Sequence, residues 1–236
     1  MRRVLILQAG SASPAVRGRW GDYPAWFARL LAPRVELRVV RPYQEPIPPL
    51  APFHGVLMTG SPRSVTEPEP WMDEAAAYML AAARTRPVLG VCFGHQLLAR
   101  ALGGRVERNP RGREAGTVEV HLTEAGARDP LFAGVQATFP VQQTHADHVP
   151  ELPPRATLLA RNDFSPVQAF GVGEEIRCVQ FHPEMDGERS RLVSETRREL
   201  LDAEAPGGSV AVLASIQVTT SAERCLKNWL ERFVGA

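Results

Sequence analysis

The chain has 236 residues, with 27 basic and 26 acidic side chains for a formal net charge of +1; 44% of residues are hydrophobic and 22% charged. That balance is sufficient for a proper core and excludes a nucleic-acid binder working by bulk charge. No polybasic block or long apolar run marks a membrane partner. Cys92, Cys178 and Cys225 are odd in number and lack Cys-x-x-Cys spacing, so neither a metal site nor a disulfide framework is expected. Arg2 and Arg3 precede only the short apolar run Val4–Leu7, too short for a secretory core. A cytoplasmic protein follows as the expectation.

In chain order, Val4–Leu7 reads as a buried strand and Pro24–Leu31 as a helix with proline in its first turn. Val35–Val40 and Gly55–Thr59 read as strands, Trp71–Arg84 as an alanine-rich helix, and Pro87–Val91 as a further strand. Phe93–Leu102 follows as a helix stopped by Gly103-Gly104. Strands alternating with helices predict an α/β protein with an open, mostly parallel, doubly wound (flavodoxin-like) sheet flanked by helices. Thr117–Leu122, Thr138–Gln142, Ala156–Ala160, Val167–Phe170 and Ile176–Phe181 then predict a β-rich extension of that sheet.

Glu188–Glu204 reads as one charged helix, and Ala205–Ser209 as a flexible loop. Val210–Val218 is apolar without a clear period; core and a docking surface are both open readings. In the last helix, Thr220 and Glu223 have capping-box spacing. There Ala222, Cys225, Leu226, Trp229, Leu230 and Phe233 share one face, which predicts a core role for Cys225. Residues 1–236 are expected to form one domain, with the proline-rich Pro42–Pro52 a stiff connection inside it.

The sharpest local signal is Gly90-Val91-Cys92-Phe93-Gly94, where a strand runs into Cys92 and a helix leaves it. Small residues on both sides of a nucleophile permit the tight turn of a nucleophile elbow. At a helix N-terminus the dipole favours a thiolate, and the Phe93 N–H can face a developing oxyanion. A thiolate nucleophile needs a base, and the base an orienting group. Gln180-Phe181-His182-Pro183-Glu184 supplies both at the end of an apolar strand. His182 and Glu184, two apart on extended backbone, lie on one side. Catalytic groups of open α/β sheets gather at the carboxyl ends of the strands, so Cys92 and His182 can converge.

Together these segments resemble the class I (triad) glutamine amidotransferases, whose signatures are Gly-x-Cys-x-Gly-x-Gln and Gln-Phe-His-Pro-Glu. Thr59-Gly60-Ser61-Pro62, Asp129-Pro130-Leu131-Phe132 and Gln143-Thr144-His145-Ala146-Asp147 are also similar to family segments, and the likeness covers about residues 53–190. The resemblance implies Cys92 as nucleophile, His182 as general base and acid, and Glu184 as orienter. It implies hydrolysis of the glutamine side-chain amide through a γ-glutamyl thioester, with no cofactor and no metal. Gln96 matches the position that helps hold glutamine, while Thr144, His145 and Asp147 match the segment at the substrate's amino-acid head. The family turn usually reads Gly-Gly-Pro or Asn-Gly-Pro, and the residue preceding the proline donates the second oxyanion N–H. Here Ser61 stands where the second oxyanion N–H is expected beside that of Phe93. Serine is strained there if the backbone needs positive φ.

About fifty residues follow Glu184, with no phosphate-loop motif. The expectation is either a free-standing amidohydrolase or a subunit handing ammonia to a separate synthase partner. A γ-glutamyl peptidase with the same triad is the main alternative. A non-catalytic regulatory module is a third, which the intact triad disfavours.

Overall fold

The computed structural model describes residues 1–32, 34–205 and 207–236. The parallel half is built from β1 (Arg2–Leu7), β2 (Val35–Val40), β3 (Gly55–Met58), β4 (Val88–Val91) and, much later in the chain, β11 (Ile176–Val179). Its helices are α1 (Pro14–Trp20), α2 (Tyr23–Leu31), α3 (Pro70–Ala82) and α4 (Phe93–Ala101). The antiparallel half contains β6 (Glu114–Leu122), β7 (Thr138–His145), β9 (Thr157–Arg161) and β10 (Ala169–Val172), with the short α5 (Glu124–Arg128) between β6 and β7. All nine strands form one sheet in the order β2-β1-β3-β4-β11-β10-β9-β6-β7, so the expected β-rich extension is continuous with the parallel core. β5 (Arg105–Arg108) and β8 (Asp147–Glu151) pair separately.

The buried runs of β1, β3 and β4 are apolar on both faces because helices cover both, whereas the edge strand β2 carries Glu36 and Arg38. Val4 and Ile6 enter one core cluster with Leu57, Leu89 and Val179; the alternate residues Leu5 and Leu7 enter the other with Met58, Val88 and Cys178. The first cluster is closed by α9 (Thr220–Asn228), through Ala222, Cys225, Leu226, Trp229 and Leu230. Cys225 is core, as its helical spacing predicts. Gly103 stops α4 with φ +88°, a left-handed conformation that glycine adopts readily.

Four local readings are corrected. Glu188–Glu204 is not one helix: α6 (Gly187–Glu195) ends at Thr196, and α7 (Arg198–Glu204) restarts after Arg197. The segment contains neither glycine nor proline, and the break accompanies a tertiary bond from Arg197 to Thr144. The capping box does not form, since Thr220 is already helical and Thr219 makes no side-chain cap bond. Glu223 instead accepts from Arg29 at 2.8 Å. The apolar Val210–Val218 is neither strand nor core: α8 (Gly208–Ser215) covers its first part, and Val210 and Val218 are 66% and 76% exposed. Gly207 caps α8, so the expected loop is shorter than Ala205–Ser209; its Pro206 lies outside the described residues. Among the described residues no helix is long and apolar enough to cross a membrane.

Candidate active site

Cys92 follows Val91 at the carboxyl end of β4, and its N–H donates to Val179 of β11 at 2.9 Å. The neighbouring strands are in parallel register, with Val91 opposite Val179. The nucleophile and the chain leading to His182 thus leave the sheet at the same edge. Cys92 has φ 51° and ψ −100°; among the described residues only Arg155 is another non-glycine with positive φ. Such a backbone costs on the order of 1–3 kcal/mol and persists only where its surroundings impose it.

The surroundings here are two glycines. A Cβ on Gly90 would lie 2.6 Å from the Gly94 carbonyl oxygen, and one on Gly94 would lie 2.8 Å from that of Met58. The Gly-x-Cys-x-Gly spacing is therefore steric: helix α4 starts directly against β3 and β4. Phe93 occupies the first helical position, where a backbone N–H has no intrahelical acceptor. It can be donated to a ligand.

His182 is fixed by its own N–H donating to the Gln142 carbonyl at 3.0 Å. Its Nδ1 donates to Glu184 Oε1 at 2.7 Å, and both side chains are almost fully buried. The expected pairing across Pro183 is present. Burial alone would depress the imidazole pKa, but the Glu184 carboxylate and the Cys92 sulfur outweigh it, and the pKa is pushed up to about 10. Nε2 faces Cys92 without a closed hydrogen bond, and among the described residues it has no other partner. Unliganded triads commonly have such a loose nucleophile–base contact.

Ser61 lies in the turn after β3 and is absent from the positive-φ residues, so serine is unstrained there and the sequence-based concern is removed. Its hydroxyl donates to the Ala9 carbonyl at 3.0 Å and accepts from the Arg63 N–H at 3.0 Å, which fixes the turn. Gly60 brings the turn against the triad: a Cβ there would be 2.8 Å from His182 Cε1 and 3.6 Å from Cys92 Cβ. Two substitutions separate these glycines. Gly60→Ala presses on a side chain that can shift, so kcat/KM is expected to fall about 10²-fold through misplacement of the imidazole. Its thermal midpoint should change little. Gly90→Ala meets backbone instead and should lower stability by about 1–3 kcal/mol, read from denaturant unfolding.

A cavity of about 190 Å³ opens on Cys92. Ser61, Gln96, Thr144, His145 and Asp147 line it, so the structure brings together these sequence-derived candidates. Their side chains are already engaged. Gln96 donates to the Asp147 carbonyl at 2.8 Å and to Gln180 Oε1 at 3.1 Å. His145 donates from Nδ1 to the same carbonyl at 2.8 Å, and its Nε2 meets Glu114 Oε2 at 2.9 Å. Burial opposes a charge on Glu114, but bonds from His145, Asn162 and Gln168 more than compensate and hold its pKa below the usual range. The Asp147 carboxylate accepts from Ser64. Gln96 and His145 thus hold the wall segment at Asp147, leaving backbone groups and new side chains to face a ligand.

Sequence reading missed Arg63, Arg108, Arg113 and Arg197, which line the same cavity. No local motif marks them; they come from separate parts of the chain. A larger groove of about 780 Å³ lies between α1 and α6, lined in part by Trp20, Leu192 and Val218, and contains none of the triad.

A buried Cys–His–Glu arrangement at the carboxyl edge of an open parallel sheet, with an N–H at the helix start, has the geometry that thiol-dependent acyl transfer requires. The sequence model of the Glutamine amidotransferase class-I family matches residues 26–194. The chain belongs to that family, a family of hydrolytic enzymes. It is 38% identical over 173 residues to a GMP synthase [glutamine-hydrolyzing] from Aeropyrum pernix, covering 70% of this chain and 32% of that protein. It is 30% identical over 140 residues to Gamma-glutamyl peptidase 3 from Arabidopsis thaliana, covering 58% of this chain and 56% of that protein. The chain therefore spans about a third of the GMP synthases it matches. In fold it is similar to a glutamine amidotransferase from Thermotoga maritima, with TM-score 0.77, 23% identity, and 100% and 99% of the two chains covered. A glutamine amidotransferase from Methylobacillus flagellatus gives TM-score 0.77 at 24% identity, covering 98% and 94%.

Proposed function

We propose that the chain hydrolyses the side-chain amide of glutamine on Cys92, releasing ammonia and glutamate. The observation that carries this reading is the triad itself: Cys92 on the elbow after β4, His182 beyond the parallel neighbour β11, and Glu184 bonded to Nδ1 at 2.7 Å. The Cys92 thiolate attacks the γ-carbonyl carbon. The oxyanion is received by the N–H groups of Phe93 and Ser61. The C–N bond then breaks, the leaving ammonia takes its proton from His182, and a γ-glutamyl thioester remains. Water, deprotonated by His182, cleaves the thioester and returns the thiolate. Gln96, Thr144, His145 and Asp147 hold the amino-acid head, mainly by fixing the backbone between 144 and 147.

The unstrained Ser61 supports a hole that is competent in the isolated chain. Ammonia transfer to a separate synthase partner is the finer reading, supported by the GMP synthase relatives. Cleavage of γ-glutamyl peptides is the second reading, favoured by the arginines in the cavity wall. The purified chain is expected to release ammonia from glutamine with a higher kcat/KM than it releases amine from a γ-glutamyl dipeptide. Efficient dipeptide cleavage with negligible glutaminase activity would replace the first reading with the second.

A further inference from the structure

The cavity wall is strongly cationic, but its arginines are not equivalent. Arg63 pairs with Glu69 at 2.8 Å and lies over the Tyr43 ring. Arg113 and Arg108 share Glu204, at 2.9 and 3.0 Å. The lining carboxylate of Asp147 is taken by Ser64. Arg197 differs. It stands at the break between α6 and α7, half-buried, and Nη1 donates to the neutral Thr144 hydroxyl at 2.6 Å. Among the described residues no carboxylate pairs with it. A guanidinium has five donors in a planar fork suited to bidentate binding of a carboxylate, and most of those here are unspent.

We infer that Arg197, beside Thr144 in the cavity that opens on Cys92, binds a carboxylate of the substrate. The assignment rests on the proposed γ-glutamyl chemistry and adds a specificity residue to it. The residue lies beyond the family match at 26–194, immediately before α7, whose Glu204 also holds Arg108 and Arg113 in the wall. A γ-glutamyl compound offers this carboxylate from either end: the α-carboxylate of the glutamyl group, or one on the departing amine.

Paired substrates distinguish the sources. L-Glutamine and 4-aminobutanamide differ by the α-carboxylate; γ-glutamylglycine and γ-glutamylethylamide differ by the carboxylate on the amine. Loss of a charge-assisted pair is expected to raise KM about ten- to a hundredfold in Arg197→Ala, with kcat little changed. A rise for glutamine but not 4-aminobutanamide identifies the α-carboxylate. A rise for γ-glutamylglycine but not γ-glutamylethylamide identifies the departing group. Arg197→Lys should restore part of the loss, because the charge remains. Equal effects on every substrate would overturn the inference. A second measurement is independent of turnover. Titration of γ-glutamylglycine into Cys92→Ala and into the Cys92→Ala, Arg197→Ala double variant should show about tenfold weaker binding in the latter. Equal affinities, or no binding to the former, would overturn the carboxylate site. Failure of wild-type turnover alone bears on the proposed function instead.

Discussion

Cys92→Ala is expected to bring ammonia release from glutamine to the detection limit, while the protein stays folded. The expectation follows from the covalent route. Without a sulfur at the elbow there is no thiolate to take the γ-glutamyl group, and the hydroxyls that line the cavity, Ser61, Ser64 and Thr144, are already bonded to Ala9, Asp147 and Arg197. Folding should survive, since alanine at 92 removes only the sulfur and keeps the Cβ. The companion experiment uses 6-diazo-5-oxonorleucine, a glutamine-directed electrophile. Peptide mass spectrometry should find the adduct on Cys92 alone. Cys178 in β11 and Cys225 on the inner face of α9 are buried, and burial pushes both thiols above the usual thiol range. An adduct on either, or undiminished turnover in the alanine variant, contradicts the nucleophile assignment.

The elbow was legible because its requirements are local. Two glycines spaced around one cysteine, between an apolar run and a helical one, encode the close approach of α4 to β3 and β4. The His182–Glu184 pair was legible for the same reason, since two residues on extended backbone face the same way. The cavity wall was not. Arg197 reaches the site only because a polar helix breaks at Thr196 and Arg197, and nothing in that charged stretch signals a break. Glu114 supports His145 across the β6–β7 pair, where Glu114 is opposite His145. That partnership depends on register between strands, which single-sequence periodicity cannot supply. The failed capping box has a similar cause. Thr220 and Glu223 had the right spacing, but the salt bridge to Arg29 recruited Glu223 instead. Local propensity is overridden wherever a long-range partner offers more.

The second large effect concerns Glu184. The competent pair is a thiolate beside an imidazolium, because His182 must hold the proton that the departing ammonia takes. The His182 pKa is raised above 6.5, to about 10, against burial and chiefly by the Glu184 charge. A group raised on folding adds stability that is complete below its unfolded value and is lost as pH rises through its folded one. The imidazolium is therefore retained at neutral pH and lost on the alkaline side. Glu184→Gln keeps a hydrogen-bond acceptor for Nδ1 but removes the charge. The alkaline limb of the kcat/KM profile should then move down by about 1–3 pH units, the usual effect of one nearby opposite charge. Activity at neutral pH should fall, but less than in His182→Ala, where loss of acid–base catalysis costs about 10²–10⁴-fold. Glu184→Asp should recover part of the alkaline limb if its shorter carboxylate still reaches the ring. A pH profile for Glu184→Gln that superimposes on wild type would mean that Glu184 only positions the imidazole. The thiolate–imidazolium pair would then need another source of stabilisation.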